Sequence, residues 1–179
     1  MNDTCELLVR YLLGNKNLIE KQSERSRSIA RGSDFYSLSK VGIYTFSENI
    51  VAFRDNTDPV SAVIKPIQTP WGETRMPICA KHAPYISMDK NNRYITEDEA
   101  YYICGILNTV LVRDYLLSSF SGRSISIDLN IKLPLYDQRN PSHTRICELS
   151  KEAHNQNDDQ RINEIICEIE EIYLDMCEI

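Results

Sequence analysis

The chain has 179 residues, of which 42% are hydrophobic and 26% charged, values of an ordinary globular protein rather than a disordered or fibrous one. Its six glycines are never closer than ten residues apart, which excludes the glycine-rich phosphate loops of nucleotide-binding proteins, and its six cysteines never form a CxxC pair, which excludes zinc ribbons and fingers. The net charge of −6 is unevenly placed: residues 147–179 carry −8, and residues 1–146 carry +2, so an acidic end adjoins a mildly basic body able to face a polyanion.

No run of apolar residues is long enough for a membrane span, and the acidic start (Asp3, Glu6) before Leu7-Leu8-Val9 does not suit a signal peptide. These features predict a cytoplasmic protein without a membrane partner. The cysteines read as reduced thiols rather than a disulfide framework, with Cys104, Cys167 and Cys177 expected among buried apolar residues.

In chain order, residues 4–22 place Leu7, Leu8, Tyr11, Leu12, Leu18 and Ile19 at helical spacing, with Gly14-Asn15 as an end or kink. The polar stretch 21–31 carries Arg25, Arg27 and Arg31 between serines and reads as a solvated loop suited to phosphates. From 35 to 94 the periodicity becomes two. Short runs at 41–46, 49–54, 60–65, 75–79 and 85–88 predict strands, separated by turn formers such as Pro70-Trp71-Gly72 and Asp89-Lys90-Asn91-Asn92.

Thr96-Glu97-Asp98-Glu99 is a capping-box pattern, and it predicts a helix running to about Leu117 with Tyr102, Ile103, Ile106, Leu107, Val110, Leu111 and Tyr115 on its apolar face and Gly105 as a point of close packing. The three acids are explained by the cap and the helix dipole without invoking a catalytic carboxylate pair. Alternation at Ile125, Ile127, Leu129 and Ile131 predicts a further strand, and helices follow at 143–155 and 158–178. The last helix carries Ile162, Ile165, Ile166, Ile169, Ile172, Tyr173 and Met176 as a stripe suited to core or partner packing. The expected fold class is α+β: a twisted mixed or antiparallel sheet, a packed central helix and C-terminal helices. The expected organisation is an N-terminal helix and basic loop over 1–33, an α+β domain over 34–142 and a helical segment over 143–179.

His82, His143 and His154 are too dispersed for a metal site, and Ser121-Gly122-Arg123-Ser124 lacks nucleophile-elbow spacing, so no catalytic residues are assigned. What remains is a set of basic and aromatic residues interleaved with strands and turns, including Lys40, Trp71, Arg75 and Arg123.

The stretch Asp34-Phe35-Tyr36-Ser37-Leu38-Ser39-Lys40-Val41-Gly42-Ile43-Tyr44-Thr45-Phe46 resembles a Y-x-L-x-x-V-G-x-Y-T-F pattern in the C-terminal target-recognition region of bacterial adenine-specific (N6) DNA methyltransferases of restriction-modification systems. Four further stretches are similar in the same order: Ile50 to Arg54, Glu99 to Thr109 (E-A-Y-Y-I-C-G-I-L-N-T), Ile131 to Asp137 (I-K-L-P-L-Y-D), and His143 to His154, which resembles the helix that follows. The resemblance covers 34–155. It implies a domain that binds double-stranded DNA and chooses its sequence while a catalytic domain or subunit flips and methylates the base. Adjacent prolines for an N-P-P-[YF] motif are absent, so the resemblance implies a non-catalytic fragment or split subunit, with no cofactor of its own and S-adenosylmethionine expected in the catalytic part. The DNA contacts expected on this basis are Arg25, Arg27, Arg31 and Lys40 on phosphates, with Trp71, Arg75 and Arg123 near the groove. Gly42, Tyr44 and Phe46 are expected to be structural, the aromatics filling core. The competing reading is a protein-interaction module that docks to a partner subunit through the acidic C-terminal helix.

Overall fold

A computed structural model describes residues 3–17, 42–54, 58–79, 83–118, 131 and 133–177. The chain forms two compact units, Met1–Gly42 and Ile43–Ile179. Of the first, the described part is helix α1 (Asp3–Gly14), braced by an Arg10–Glu6 ion pair at 2.8 Å and ended where Asn15 turns its amide groups back onto the Tyr11 carbonyl. Leu7, Leu8, Val9, Tyr11 and Leu13 are exposed on it.

The second unit has the α+β class expected. A three-stranded antiparallel sheet in the order β2-β1-β5 joins β1 (Ile50–Phe53), β2 (Ser61–Ile64) and β5 (Tyr85–Ile86), with Val51 opposite Val63 on one side and Ile86 on the other. A separate hairpin pairs β3 (Ile67–Gln68) with β4 (Thr74–Arg75). Four helices follow: α2 (Glu97–Leu107), α3 (Val110–Ser118), α4 (Pro141–His154) and α5 (Asp159–Cys177).

Helix α2 is the axis of the unit. Thr96 caps it, accepting from the Glu99 amide while Glu99 accepts from the Thr96 amide, so two otherwise orphaned donors are satisfied. Seven of its residues are buried, and it packs on β1, β2, α3, α4 and α5. A helix buried on nearly every side needs an apolar circumference, and Ala100-Tyr101-Tyr102-Ile103-Cys104-Gly105-Ile106-Leu107 supplies one. At Gly105 the close approach expected from sequence is present: an added Cβ would stand 3.1 Å from Ile146 Cγ2 and 3.3 Å from Ser150 Cβ, both on α4. Helix α4 starts on Pro141 behind an Asn140 cap, and α5 lays Ile165, Ile169 and Tyr173 into the same core, so the apolar stripe of the last helix serves packing within the chain.

Several local expectations are corrected. The described part of the run expected as a strand at 41–46 is not a strand. Ile43–Phe46 forms a short 3-10 turn, because its carbonyls are taken by side chains rather than by a neighbouring strand: Tyr94 Oη donates to Ile43 and Ser87 Oγ to Tyr44. Tyr44 and Phe46 accordingly do not fill core; both are exposed. The predicted strand at 75–79 is confined to Thr74–Arg75. The single helix expected to reach Leu117 is two, broken at Asn108-Thr109, where the Asn108 side chain turns to β2 and Thr109 Oγ1 receives the Val112 amide at the start of α3. That break rotates the face: Val112 and Leu116 are buried, whereas Val110, Leu111 and Tyr115 are exposed. Cys104 is buried as expected and Cys177 half-buried, but Cys167 is exposed on the outer side of α5. The predicted strand at 125–131 lies outside the described residues except for Ile131.

Candidate nucleic-acid interface

Of the residues expected at DNA, Arg25, Arg27, Arg31, Lys40 and Arg123 lie outside the described residues. Trp71 and Arg75 are brought together on the β3–β4 hairpin, whose strands pack chiefly on one another. Its loop is closed tightly. The Gly72 amide donates to the Thr69 carbonyl at 3.0 Å, the Thr69 amide and hydroxyl both donate to the Glu73 carbonyl at 2.8 Å, and the Glu73 amide returns a bond to Thr69 Oγ1 at 3.1 Å. Gly72 takes φ +87°, the left-handed conformation that completes a three-residue loop and that a side chain would strain. Trp71 stands at the tip, 72% exposed.

A second loop repeats this construction. Asp89 and Arg93 close around Lys90-Asn91-Asn92, Asn92 holds φ 61°, and Asp89 Oδ1 accepts from the Asn91 and Arg93 amides. Those two backbone donors, that of Arg93 first, hold the Asp89 carboxyl below its usual range, with the Arg93 guanidinium adding to the effect. Arg93 also grips Glu99 with two hydrogen bonds, at 2.9 and 2.5 Å, which lowers the Glu99 carboxyl and ties the loop to the cap of α2.

Most described cations of the second unit are engaged by acids of the same unit. Arg113 bonds both oxygens of Asp58, Arg145 pairs with Glu168, Lys151 with Asp98, and Arg161 with Glu152 and Glu164. Lys65 lies 4.0 Å from Glu97 and over the Tyr101 ring, and Arg75 is held by Glu73 through Nε and Nη2 at 3.0 and 2.8 Å. Sequence reasoning did not foresee these pairings, because every partner except Glu73 and Glu164 is at least four residues away and most are brought in by another element. The Glu73–Arg75 and Lys65–Glu97 pairs are solvent-exposed, so each is worth ~0–1 kcal/mol and exchanges readily with another anion.

Cys104, His154 and Asn108 form a thiol, imidazole and amide constellation that sequence spacing hid. The Cys104 sulfur is 3.9 Å from His154 Nε2 and 3.5 Å from Asn108 Nδ2. Its chemistry is structural. His154 Nε2 already accepts from the Val63 amide at 3.0 Å, which places its proton on Nδ1, 2.7 Å from the Ser150 carbonyl. Burial pushes the Cys104 thiol up to about 12, so no thiolate forms for nucleophilic attack near neutrality. Beside it, a cavity of about 360 Å³ is walled by β2, α2, α4 and α5. Asp58, Asn108 and His154 on its wall are hydrogen-bonded within the protein.

No protein-family profile and no curated protein matches the chain. Among the described residues no helix is long and apolar enough to cross a membrane, and no cluster of three metal-binding side chains occurs.

Proposed function

We propose that the chain is a DNA target-recognition module of an N6-adenine DNA methyltransferase or restriction-modification enzyme, acting with a separate catalytic domain or subunit that binds S-adenosylmethionine. One observation carries the reading. Four of the five stretches that resemble the family, dispersed over about a hundred residues, meet in one core: Val51 from the second, Tyr102 and Ile106 from the third, Leu133 and Tyr136 from the fourth, and Ile146 and Leu149 from the fifth. The first contributes the turn bound by Tyr94 and Ser87. Likeness that coincides with a packing unit is what a shared domain produces, and the polar hairpin left outside that core is where such a domain would carry its contacts.

The test is binding of the full chain to random-sequence duplex DNA by fluorescence anisotropy at ~50 and ~200 mM salt, the interval over which a multi-phosphate contact loses orders of magnitude in affinity. Micromolar binding that collapses with salt, and weakens when Arg25, Arg27 and Arg31 become alanine, is the expected result. Absence of binding by a folded sample at either salt overturns the reading in favour of docking to a partner subunit through the acidic outer side of α5.

A further inference from the structure

Trp71 is the only tryptophan of the chain, and it stands in water at the tip of a hairpin. Tryptophan carries the largest apolar area of any side chain, and a protein that leaves it exposed on a stiff support presents it to something. The support is stiff: Pro70 fixes its own φ, Gly72 supplies the left-handed turn, and Thr69 is bonded to Gly72 and Glu73 through both backbone and hydroxyl. Little freedom remains to be lost on contact.

The charge around the tip selects the partner. Glu73 and Arg75 cancel within the hairpin, so the indole face meets its ligand without a net charge beside it. Lys65, 60% exposed at the foot of β3, is held 4.0 Å from an equally exposed Glu97 and is the cation that this side can yield to an anion, in a chain whose acids collect toward the C-terminal helices. An uncharged aromatic plane at the tip with a cation set back along the ribbon complements a base step between its phosphates, and a two-stranded ribbon is narrow enough for the ~12 Å major groove.

Resting on the DNA-recognition reading, we propose that the hairpin enters duplex DNA and that Trp71 wedges into a base step and stacks on the base it unstacks, with Lys65 released from Glu97 to a neighbouring phosphate and Arg75 kept on Glu73. Trp71 fixes the position of the module on the duplex by stacking, which every base supports, and sequence choice is left to other side chains.

Because Trp71 is alone, intrinsic fluorescence reads this contact directly. The full chain is titrated with random-sequence duplex DNA at ~50 mM salt while indole emission and anisotropy of labelled DNA are followed together. The proposal requires quenching of Trp71 that saturates with the anisotropy, protection of the bound indole from acrylamide, and a Trp71→Ala affinity loss of about 5-fold or more, the lower end of what a stacked base supplies, because opening the step offsets part of the gain. Trp71→Phe, which keeps a smaller ring, is expected between the two. The exposed indole lets these variants fold, as an unchanged denaturation midpoint verifies. DNA binding with unaltered Trp71 emission and an unaffected Trp71→Ala protein overturns the stacking proposal and leaves the DNA reading standing. Failure of wild type and variants alike to bind DNA removes both. An emission shift that follows protein concentration without DNA assigns the tip to self-association and overturns the proposal.

Discussion

The side chain of Asn108 completes the outer edge of β2 by bonding both backbone groups of Ser61: Oδ1 accepts from the Ser61 amide and Nδ2 donates to the Ser61 carbonyl, each at 2.9 Å. An amide side chain here takes the place of a neighbouring strand. His154 extends the seal by accepting from the Val63 amide, so two helices close an edge that would otherwise offer a template for another chain. Asn108→Ala strips Ser61 of both partners and the Cys104 carbonyl of one donor. The expected loss is ~2–4 kcal/mol in urea unfolding, since each buried group left unsatisfied costs ~1–3 kcal/mol. A concentration-dependent tendency to associate through β2 should accompany it. A change below ~0.5 kcal/mol would show that water replaces the amide at no cost.

Tyr102 presents the opposite case. Its ring is buried against Tyr136 and His143, with centroids 5.5 and 4.8 Å away, and its hydroxyl is buried without a partner among the described residues. Burial accordingly raises its ionisation above the usual phenol range, with Tyr173 and Cys177 adding to the effect. Removing an unpaired buried hydroxyl relieves a desolvation penalty, so Tyr102→Phe should leave stability unchanged or raise it by ~1 kcal/mol, where a tyrosine engaged in a hydrogen bond would lose a similar amount. Thermal unfolding distinguishes the two, and a clear fall in Tm would mean that the hydroxyl has a partner.

What was legible in the sequence was local chemistry. Thr96 and Glu99 announce a helix start by themselves, Pro70-Trp71-Gly72 announces a turn, and the isoleucine stripe of α5 announces a packed face, because in each case the determining atoms are within a few residues. Alternation at 41–46 misled because period-two apolarity describes side chains, whereas a strand also needs a backbone partner, and here Tyr94 and Ser87, more than forty residues on, take the carbonyls. Helix α3 misled for a related reason: Asn108 is an unremarkable helical residue until β2 lies beside it. In the candidate interface, Trp71 could be singled out from turn chemistry, but the matching of Arg93, Arg113, Arg145 and Lys151 with acids is a product of tertiary structure and has no signature in spacing.

His143 makes stability depend on pH. It is 5% exposed, its Nδ1 accepts from the Asp137 amide at 2.9 Å, and burial lowers its pKa from the ordinary 6.5, with the Asp137 charge partly opposing. The unfolded chain therefore takes up the proton first as pH falls. His143 contributes its full stabilisation above about pH 6.5 and loses it progressively as pH drops through the folded value. Glu99, also depressed, acts only below its ordinary 4.5, outside this window. Denaturant midpoints between about pH 8 and 5 should decline for the wild type and stay flatter for His143→Gln, which keeps an acceptor without the titration. The other histidines are common to both proteins, so the difference curve isolates His143, and coincident curves would refute its role.

The cysteines should separate into two reactivity classes. Cys167 is exposed on α5, whereas Cys104 and Cys147 are buried, their thiols pushed by burial up to about 12 and about 11. Thiolate is the reacting form, so depressed ionisation and exclusion from solvent act in the same direction. Under native conditions near neutral pH, a maleimide should modify Cys167 promptly and reach Cys104 and Cys147 only as fast as the core opens, a difference that peptide mass spectrometry resolves site by site. Urea should bring the buried pair up to the Cys167 rate together, because Cys104 on α2 and Cys147 on α4 belong to one packed core. Early labelling of Cys147 without Cys104 would instead mean that α4 detaches from α2 before the core unfolds, and that the Lys151–Asp98 pair beside Cys147 is the weak point of that contact.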